Sequence, residues 1–411
     1  LKINFFKLFR ENKYPVYINI LERAFFFIVF LIIARVYPSD SYGQLITIFS
    51  LANIFIIIFD LGIPLLIQKE LSSGNKVSNN FTGNAIAISI ALFPVYLFLL
   101  WTYQILFFPE FPFWLFASTA VLVYLFSFSN LLNKALSGIR NFYSQYRALL
   151  YSRVLTLCAI LIFSLLFNTD LTFLILLLTV GAIIHITGLL ISLKNNNVCI
   201  NPLTARFKIA SRILKMSVPL GLAVLFNFLY DKIDIILISK LTDFENVAFY
   251  NIGYSVYKSS SLLYSFLFIT GLSRISYLSK NKKAVRLFYK KYLFILLPVC
   301  LVLSLILYFF GGILISILYT DKFSGSEIIL RILSFAVIGL ALNNLTGVIL
   351  NGLGMFRQNM NVTLAGLILN ILLNIFFIPV YGIAGAAVIT VFTEYFIFAG
   401  DYLYLKKFKI L

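Results

Sequence analysis

Apolar residues run through this chain in long blocks, separated by short polar breaks, and the blocks have bilayer length. A helix crossing the hydrocarbon core needs about 20 mostly apolar residues, and the pattern predicts twelve such helices. Six lie near 14–36, 42–67, 82–107, 113–133, 147–168 and 171–193. After a basic stretch, six more lie near 214–239, 246–272, 292–318, 328–353, 361–380 and 381–404. One block departs from a lipid-facing helix: Ser217 to Lys240, SVPLGLAVLFNFLYDKIDIILISK, holds Asn227, Asp231, Lys232 and Asp234 in its interior. A charge at the bilayer centre costs at least ~2.5 kcal/mol, so these side chains must face protein or water. Asn227, Asp231 and Asp234 fall at i, i+4 and i+7 on one helix face, and Lys232 borders it, about 100° away. Such a stripe reads as the wall of a pathway.

Composition agrees: 61% of the 411 residues are hydrophobic, 12% are charged, and the mean hydropathy is +0.98. The class is an all-α polytopic membrane protein. The formal charge of +18 would suggest nucleic acid in a soluble protein, but here it follows topology. One set of breaks holds Lys2, Lys7, Arg10, Lys13, Lys69, Lys76, Lys134, Arg140, Arg147 and Arg153. Lys194, Arg206, Lys208, Arg212, Lys215, the dense loop from Arg274 to Lys291, Arg357 and the tail Lys406, Lys407 and Lys409 continue it, for 26 of the 33 basic residues. The opposite breaks hold only Arg35, Lys240 and Lys322, among seven acids. Both termini are therefore expected in the cytoplasm, and nucleic acid is not an expected partner. The first block is too long for a cleaved signal and is followed by no small-residue cleavage site. Cys158, Cys199 and Cys300 have no metal or disulfide spacing.

The two halves resemble each other at an offset of 208 residues. Asn19 and Arg23 map onto Asn227 and Asp231, Tyr42 maps onto Tyr250, and spans three to five fall on or near spans nine to eleven. Six helices per half insert the same way up, so the expectation is two six-helix lobes related by a parallel repeat, the arrangement of alternating-access transporters. The lobes are expected at 1–193 and 216–411, joined by a basic cytoplasmic linker at 194–215 that carries an amphipathic surface helix.

Other charges lie inside predicted spans: Glu22, Arg23, Asp60, Lys258 and Arg331. Asn251, Ser255, Lys258 and Ser259 form a second stripe on the eighth span, and Asn53 shares a face with Asp60. Asn343, Asn344, Asn370 and Asn374 add amides. The expected site is a cavity with cationic points at Arg23, Lys232, Lys258 and Arg331, suited to phosphate. Asn19, Asn227, Asn251 and Ser255 supply neutral hydrogen bonds. Glu22, Asp60, Asp231 and Asp234 would balance charge or bind a coupling proton or cation. Glu394 and Asp401 are read as interfacial, and His185 as a helix–helix hydrogen-bonding residue. No P-loop, CxxC pair, HExxH or nucleophile elbow occurs. No cofactor or metal is expected, nor is enzymatic activity.

Ala34 to Leu71, ARVYPSDSYGQLITIFSLANIFIIIFDLGIPLLIQKEL, resembles the opening of bacterial polysaccharide flippases. The features are Arg35, Tyr42-Gly43 and Asp60-Leu61-Gly62. The seventh span with Pro219, Asp231 and Asp234, followed by Tyr250, is similar to that family's second half, and IPVYGIAGAAVITVF (378–392) to its span-eleven turn. Asn251 departs from the Gly of the first half and of many relatives. The resemblance points to the polysaccharide branch of the multidrug/oligosaccharidyl-lipid/polysaccharide exporter superfamily, and the count of twelve disfavours the fourteen-span lipid II branch. It implies an inner-membrane flippase for undecaprenyl-diphosphate-linked oligosaccharide, of the O-antigen, capsule or exopolysaccharide kind. Its implied partners are that substrate, the bilayer and other polysaccharide-assembly proteins, around a monomer. The alternatives are a multidrug-type cation-coupled exporter and, further off, a membrane glycan polymerase or glycosyltransferase.

Overall fold

The computed structural model describes residues 13–72, 78–167, 169–264 and 281–410, with Ile275 and Leu278 between. Expectations on Lys2, Lys7, Arg10, Lys76, Arg274 and Lys280 lie outside the described residues. The helices are α1 (Lys13–Val36), α2 (Ser39–Asp60), α3 (Ile63–Ser72), α4 (Ser78–Phe107), α5 (Phe113–Gly138), α6 (Phe142–Leu166) and α7 (Leu171–Asn195). They continue with α8 (Phe207–Leu241), α9 (Phe244–Ser260), α10 (Lys282–Tyr319), α11 (Ser326–Ser334), α12 (Ala336–Gly352) and α13 (Phe356–Lys407). Short 3-10 turns stand at Pro202–Thr204 and Asp321–Phe323. Among the described residues eight helices are long and apolar enough to cross a membrane, and ten if each of two bent pairs counts as one span. This is a multi-pass, all-helical membrane protein.

Two predicted elements change shape, and a third forms as expected. The second span stops at Asp60, because Leu61 (φ 45°) and Gly62 (φ 74°) are both left-handed. A Cβ on Gly62 would lie 2.5 Å from the Gly221 backbone nitrogen, so only glycine fits there. The linker's helix is not a separate surface element. It begins at Phe207 and runs on into the seventh span, forming α8, which bends by 46° between Leu222 and Val224. Pro219 lies inside this helix, just ahead of the bend. Finally, α13 spans 52 residues but turns back at Gly382 (φ 59°, ψ −146°), as the Pro-x-Tyr-Gly signal predicts. The two arms lie side by side: Gly400 faces Val362 and Gly366 faces Ile397.

The chain divides into two compact units. The first comprises Leu1–Tyr37 with Ile48–Leu225, and the second Pro38–Thr47 with Phe226–Leu411. In the first unit α5 packs on α7 and α3, α6 on α7, and α1 on α6. Ile67, Ala85, Leu132, Leu136 and Leu189 are among the side chains of its core. In the second unit α12 packs along α13, and α10 along α11 and α12. The face of α10 shows the membrane logic: Leu296, Cys300, Ser304, Leu307, Gly311 and Ile315 are buried at helical spacing. Phe294, Phe309 and Ile317 stand out on its other sides, suited to lipid.

The reversal at Gly382 can be checked by cross-linking. A Cβ built on Gly400 would lie 3.7 Å from Val362 Cβ, within the range of about 3.5–4.5 Å that a disulfide requires. With Cys158, Cys199 and Cys300 replaced by Ala, Val362→Cys/Gly400→Cys should oxidise to an intramolecular disulfide with altered gel mobility. A straight α13 would leave both thiols free.

Candidate functional site

The polar residues of the second unit assemble along α9. Tyr250, Tyr254 and Tyr257 follow one another at i, i+4 and i+7, and each phenol donates to a different carboxylate. Tyr254 donates to Asp231 at 2.7 Å, Tyr250 to Asp234 at 2.7 Å, and Tyr257 to Glu394 at 3.4 Å. The expected stripe of Asn251, Ser255 and Ser259 is thus not the one that meets the acids, whereas Lys258, one residue past Tyr257, joins them.

Two kinds of carboxylate site result. Asp231 is balanced by cations: Lys258 Nζ lies 2.9 Å away and Lys232 Nζ 3.2 Å away. Both ammonium groups also lie over the Tyr254 ring, at 5.4 and 5.7 Å from its centroid. Asp234 is instead met by neutral donors. Asn374 donates at 2.9 Å, and Thr390 at 3.0 Å to the oxygen that also accepts from Tyr250. Asn374 bridges on to Asn370 at 3.0 Å, and its own carbonyl oxygen is buried without a partner among the described residues. Glu394 and Asp401 are fully buried rather than interfacial; Asn343 donates to the first at 2.9 Å and Thr346 to the second at 3.2 Å.

The first unit holds a cavity of about 530 Å³ lined by Asn19, Asn53, Asn130, Asn133, Ser129 and Gln145, with aromatic walls including Phe26 and Phe126. Glu22 and Arg153 also face it. Arg153, expected among the cytoplasmic basic residues, is only 2% exposed and sits well inside α6. The helix starts at Phe142 rather than near 147, which carries Arg153 about 16 Å along the axis at about 1.5 Å per residue. Its guanidinium packs over Phe25, Phe26 and Phe126, 4.6 to 5.4 Å from the ring centroids. His185 is buried too, but among the described residues neither ring nitrogen has a hydrogen-bond partner, so it packs and does not bridge helices.

The expected site residues therefore fall in several places. Asp231, Lys232 and Lys258 come together, and Asp234 joins their network through α9. Glu22, Asn19 and Asn53 line the first-unit cavity. Asp60 is hydrogen-bonded by Ser127 in a separate, tighter pocket. Arg23 and Asn227 are exposed, and Ser255 is half-buried. Asn251 donates to the Tyr42 hydroxyl at 3.1 Å, which gives the departure from Gly a specific bond. Arg331 is half-exposed on α11 and pairs with Glu327 one turn away. Sequence reading missed the tyrosine ladder and Arg153. The i, i+4, i+7 spacing signalled the first; an Arg eleven positions into an apolar helix would have signalled the second.

Residues 13–272 match the family described as polysaccharide biosynthesis protein, and residues 219–376 match the family described as MatE. An inward-facing multidrug resistance MATE family transporter of the MOP superfamily shares the fold with a TM-score of 0.76. It is 12% identical, and the likeness covers 94% of each chain. Lipid II flippase MurJ, in an inward closed conformation, follows at 0.74 and 15% identity, over 96% of this chain and 87% of that one. At such identities the likeness is one of fold, the MOP transporter fold of about twelve helices. The uncharacterized membrane protein MJ1068 of Methanocaldococcus jannaschii is 31% identical over 105 residues, 26% of this chain and 21% of that relative. The chain thus matches about a fifth of that relative's length.

The charge cluster should be energetically coupled. Asp231→Asn and Lys258→Met should each lower the thermal stability of the purified protein, and the double variant should lose less than their sum. The expected coupling is about 0.5–3 kcal/mol. Arg331→Gln should change stability by no more than about 0.5 kcal/mol, because its partner is one helical turn away and the pair is half-exposed.

Proposed function

Because the chain belongs to the polysaccharide biosynthesis protein family, we propose that it is a flippase for oligosaccharide linked to a polyprenyl diphosphate. The substrate is an O-antigen, capsule or exopolysaccharide repeat unit on undecaprenyl diphosphate, moved across the bacterial cytoplasmic membrane by alternating access of the two halves. Both termini are assigned to the cytoplasm. The observation that carries this reading is the first-unit cavity: amides and hydroxyls line it inside a membrane bundle, where apolar walls would be the cheap choice. Amides offer both donors and acceptors, which suits a hydroxyl-rich glycan, and the Phe walls suit the apolar faces of sugar rings.

The charges argue in the same direction. Within the second-unit cluster Asp231 already holds two ammonium groups and Glu394 is buried behind hydrogen bonds, so neither carboxylate is left open to a cationic substrate. The connections around Pro38, Phe108 to Pro112 and Thr242–Asp243 are short, which leaves no room there for the catalytic loops of a polymerase. In this reading Lys258 and Lys232 are anion-binding points that trade Asp231 for a phosphoryl oxygen. The hydrogen-bond donors described around Asp234 are all neutral, so it is the better candidate for a coupling proton or cation, with Asp231 serving charge balance. Arg23, exposed on α1, is a further cationic contact.

The test is surface glycan in the native organism with and without the gene, measured together with lipid-linked oligosaccharide. Loss of surface polymer, with the intermediate accumulating on the cytoplasmic face, is the expected result; normal glycan with altered tolerance to cationic drugs would favour multidrug export. Lys258→Ala at normal expression should reduce surface glycan. Full activity of both Lys258→Ala and Arg23→Ala would remove the cationic contacts from the mechanism.

A further inference from the structure

Resting on the flippase reading for the source of its ligand, we infer that Arg153 is an anion-binding residue of the first-unit cavity, with Glu22 as a counter-ion that a better-placed oxyanion displaces. The starting point is an incomplete set of bonds. A guanidinium carries five N–H donors in a planar fork and stays charged. Arg153 is 2% exposed, and its Nε and Nη1 are buried with no hydrogen-bond partner among the described residues. Its ion pair runs from Nη2 to Glu22 Oε1 at 3.7 Å, beyond the usual hydrogen-bond range of about 2.7–3.2 Å. The Glu22 side chain is 43% exposed and so is partly hydrated where it stands.

The surroundings explain how this charge is tolerated but leave the fork unfilled. Phe25, Phe26 and Phe126 present rings to the cation, which replaces part of its hydration. Buried His185 contributes no acceptor bond. Arg153 lines the 530 Å³ cavity, and so does Asn133, whose buried carbonyl oxygen also lacks a partner among the described residues. The cavity lining thus includes a forked donor for an oxyanion and an acceptor for a hydroxyl. That pair fits a phosphorylated or carboxylated sugar better than either a neutral glycan or a cation. Bidentate contact is the geometry in which Arg binds phosphate and carboxylate most strongly. The oxyanion can come from the diphosphate linker or from an acidic sugar of the repeat unit.

The experiment uses the full chain, purified in phosphatidylcholine nanodiscs at low salt, with inorganic pyrophosphate and glucuronate as separate probes for calorimetric titration. Saturable binding of at least one probe is expected, weakened about tenfold or more by Arg153→Gln. Arg153→Lys should restore only part of the affinity, since an ammonium group cannot fork. Glu22→Gln should tighten binding several-fold by removing the competitor. Pyrophosphate alone would assign the site to the linker, and glucuronate alone to an acidic sugar. No binding of either probe, or binding unchanged by Arg153→Gln, would overturn the inference. If Arg153→Gln does not fold, unchanged affinity in Glu22→Gln overturns it instead. Surface glycan lost on gene deletion beside Arg153-independent binding sinks this site and leaves the flippase. Arg153-dependent binding beside normal surface glycan does the reverse.

Discussion

The cost of a charge in hydrocarbon organises this molecule. Each ionised group inside a membrane bundle must be met by an opposite charge, a hydrogen-bond donor or water, or it does not stay there. In the second unit one helix contributes to meeting the requirement at three acids. Tyr250, Tyr254 and Tyr257 of α9 reach Asp234, Asp231 and Glu394, so two acids of α8 and one of α13 share a single row of phenols beside their other partners. The row also fixes how α8 and α13 stand against α9, because a shift of one residue would misalign all three bonds. Polar bonds thus set the register while apolar packing supplies the bulk of the interface.

The same rule separates the roles of two aspartates three residues apart. Asp231 holds two lysines and is partly exposed, whereas Asp234 is buried among Tyr250, Thr390 and Asn374. A residue already neutralised has little to gain from a proton or metal cation; one held only by dipoles has much to gain. In the first unit the rule is only partly met. Arg153 has aromatic faces and a distant carboxylate in place of a full set of acceptors, on the wall of a polar cavity. The two units therefore present different chemistry: the Asp231 charge is paired with two ammonium groups, whereas the Arg153 fork is left largely unfilled among the described residues.

Much of this was legible in the residues. The apolar blocks located the helices because bilayer thickness dictates their length, and Pro379, Tyr381 and Gly382 marked a turn that forms. Asp231, Lys232 and Lys258 stood out because ionised groups are rare at such positions. Legibility failed where partners come from distant sequence. Glu394 and Asp401 looked interfacial from their place near a helix end, but α12 and its Asn343 and Thr346 bury them. Counting Arg153 with the cytoplasmic bases followed a charge rule that holds for loops and says nothing of a residue three turns into a helix.

By itself, then, the sequence determined that this is a membrane bundle, where most helices begin and end, and which residues carry charge into the hydrocarbon. These properties are local, set by transfer free energy and helical period. Only the tertiary structure decided which acid meets which base and that tyrosines mediate between them. It also decided that Arg331 pairs within its own turn and that Arg153 faces a cavity with its fork unfilled. Those outcomes depend on how separate helices pack, down to Asn374 and Thr390 reaching Asp234 across more than a hundred residues at 2.9 and 3.0 Å, and no periodicity along a single helix encodes such a contact.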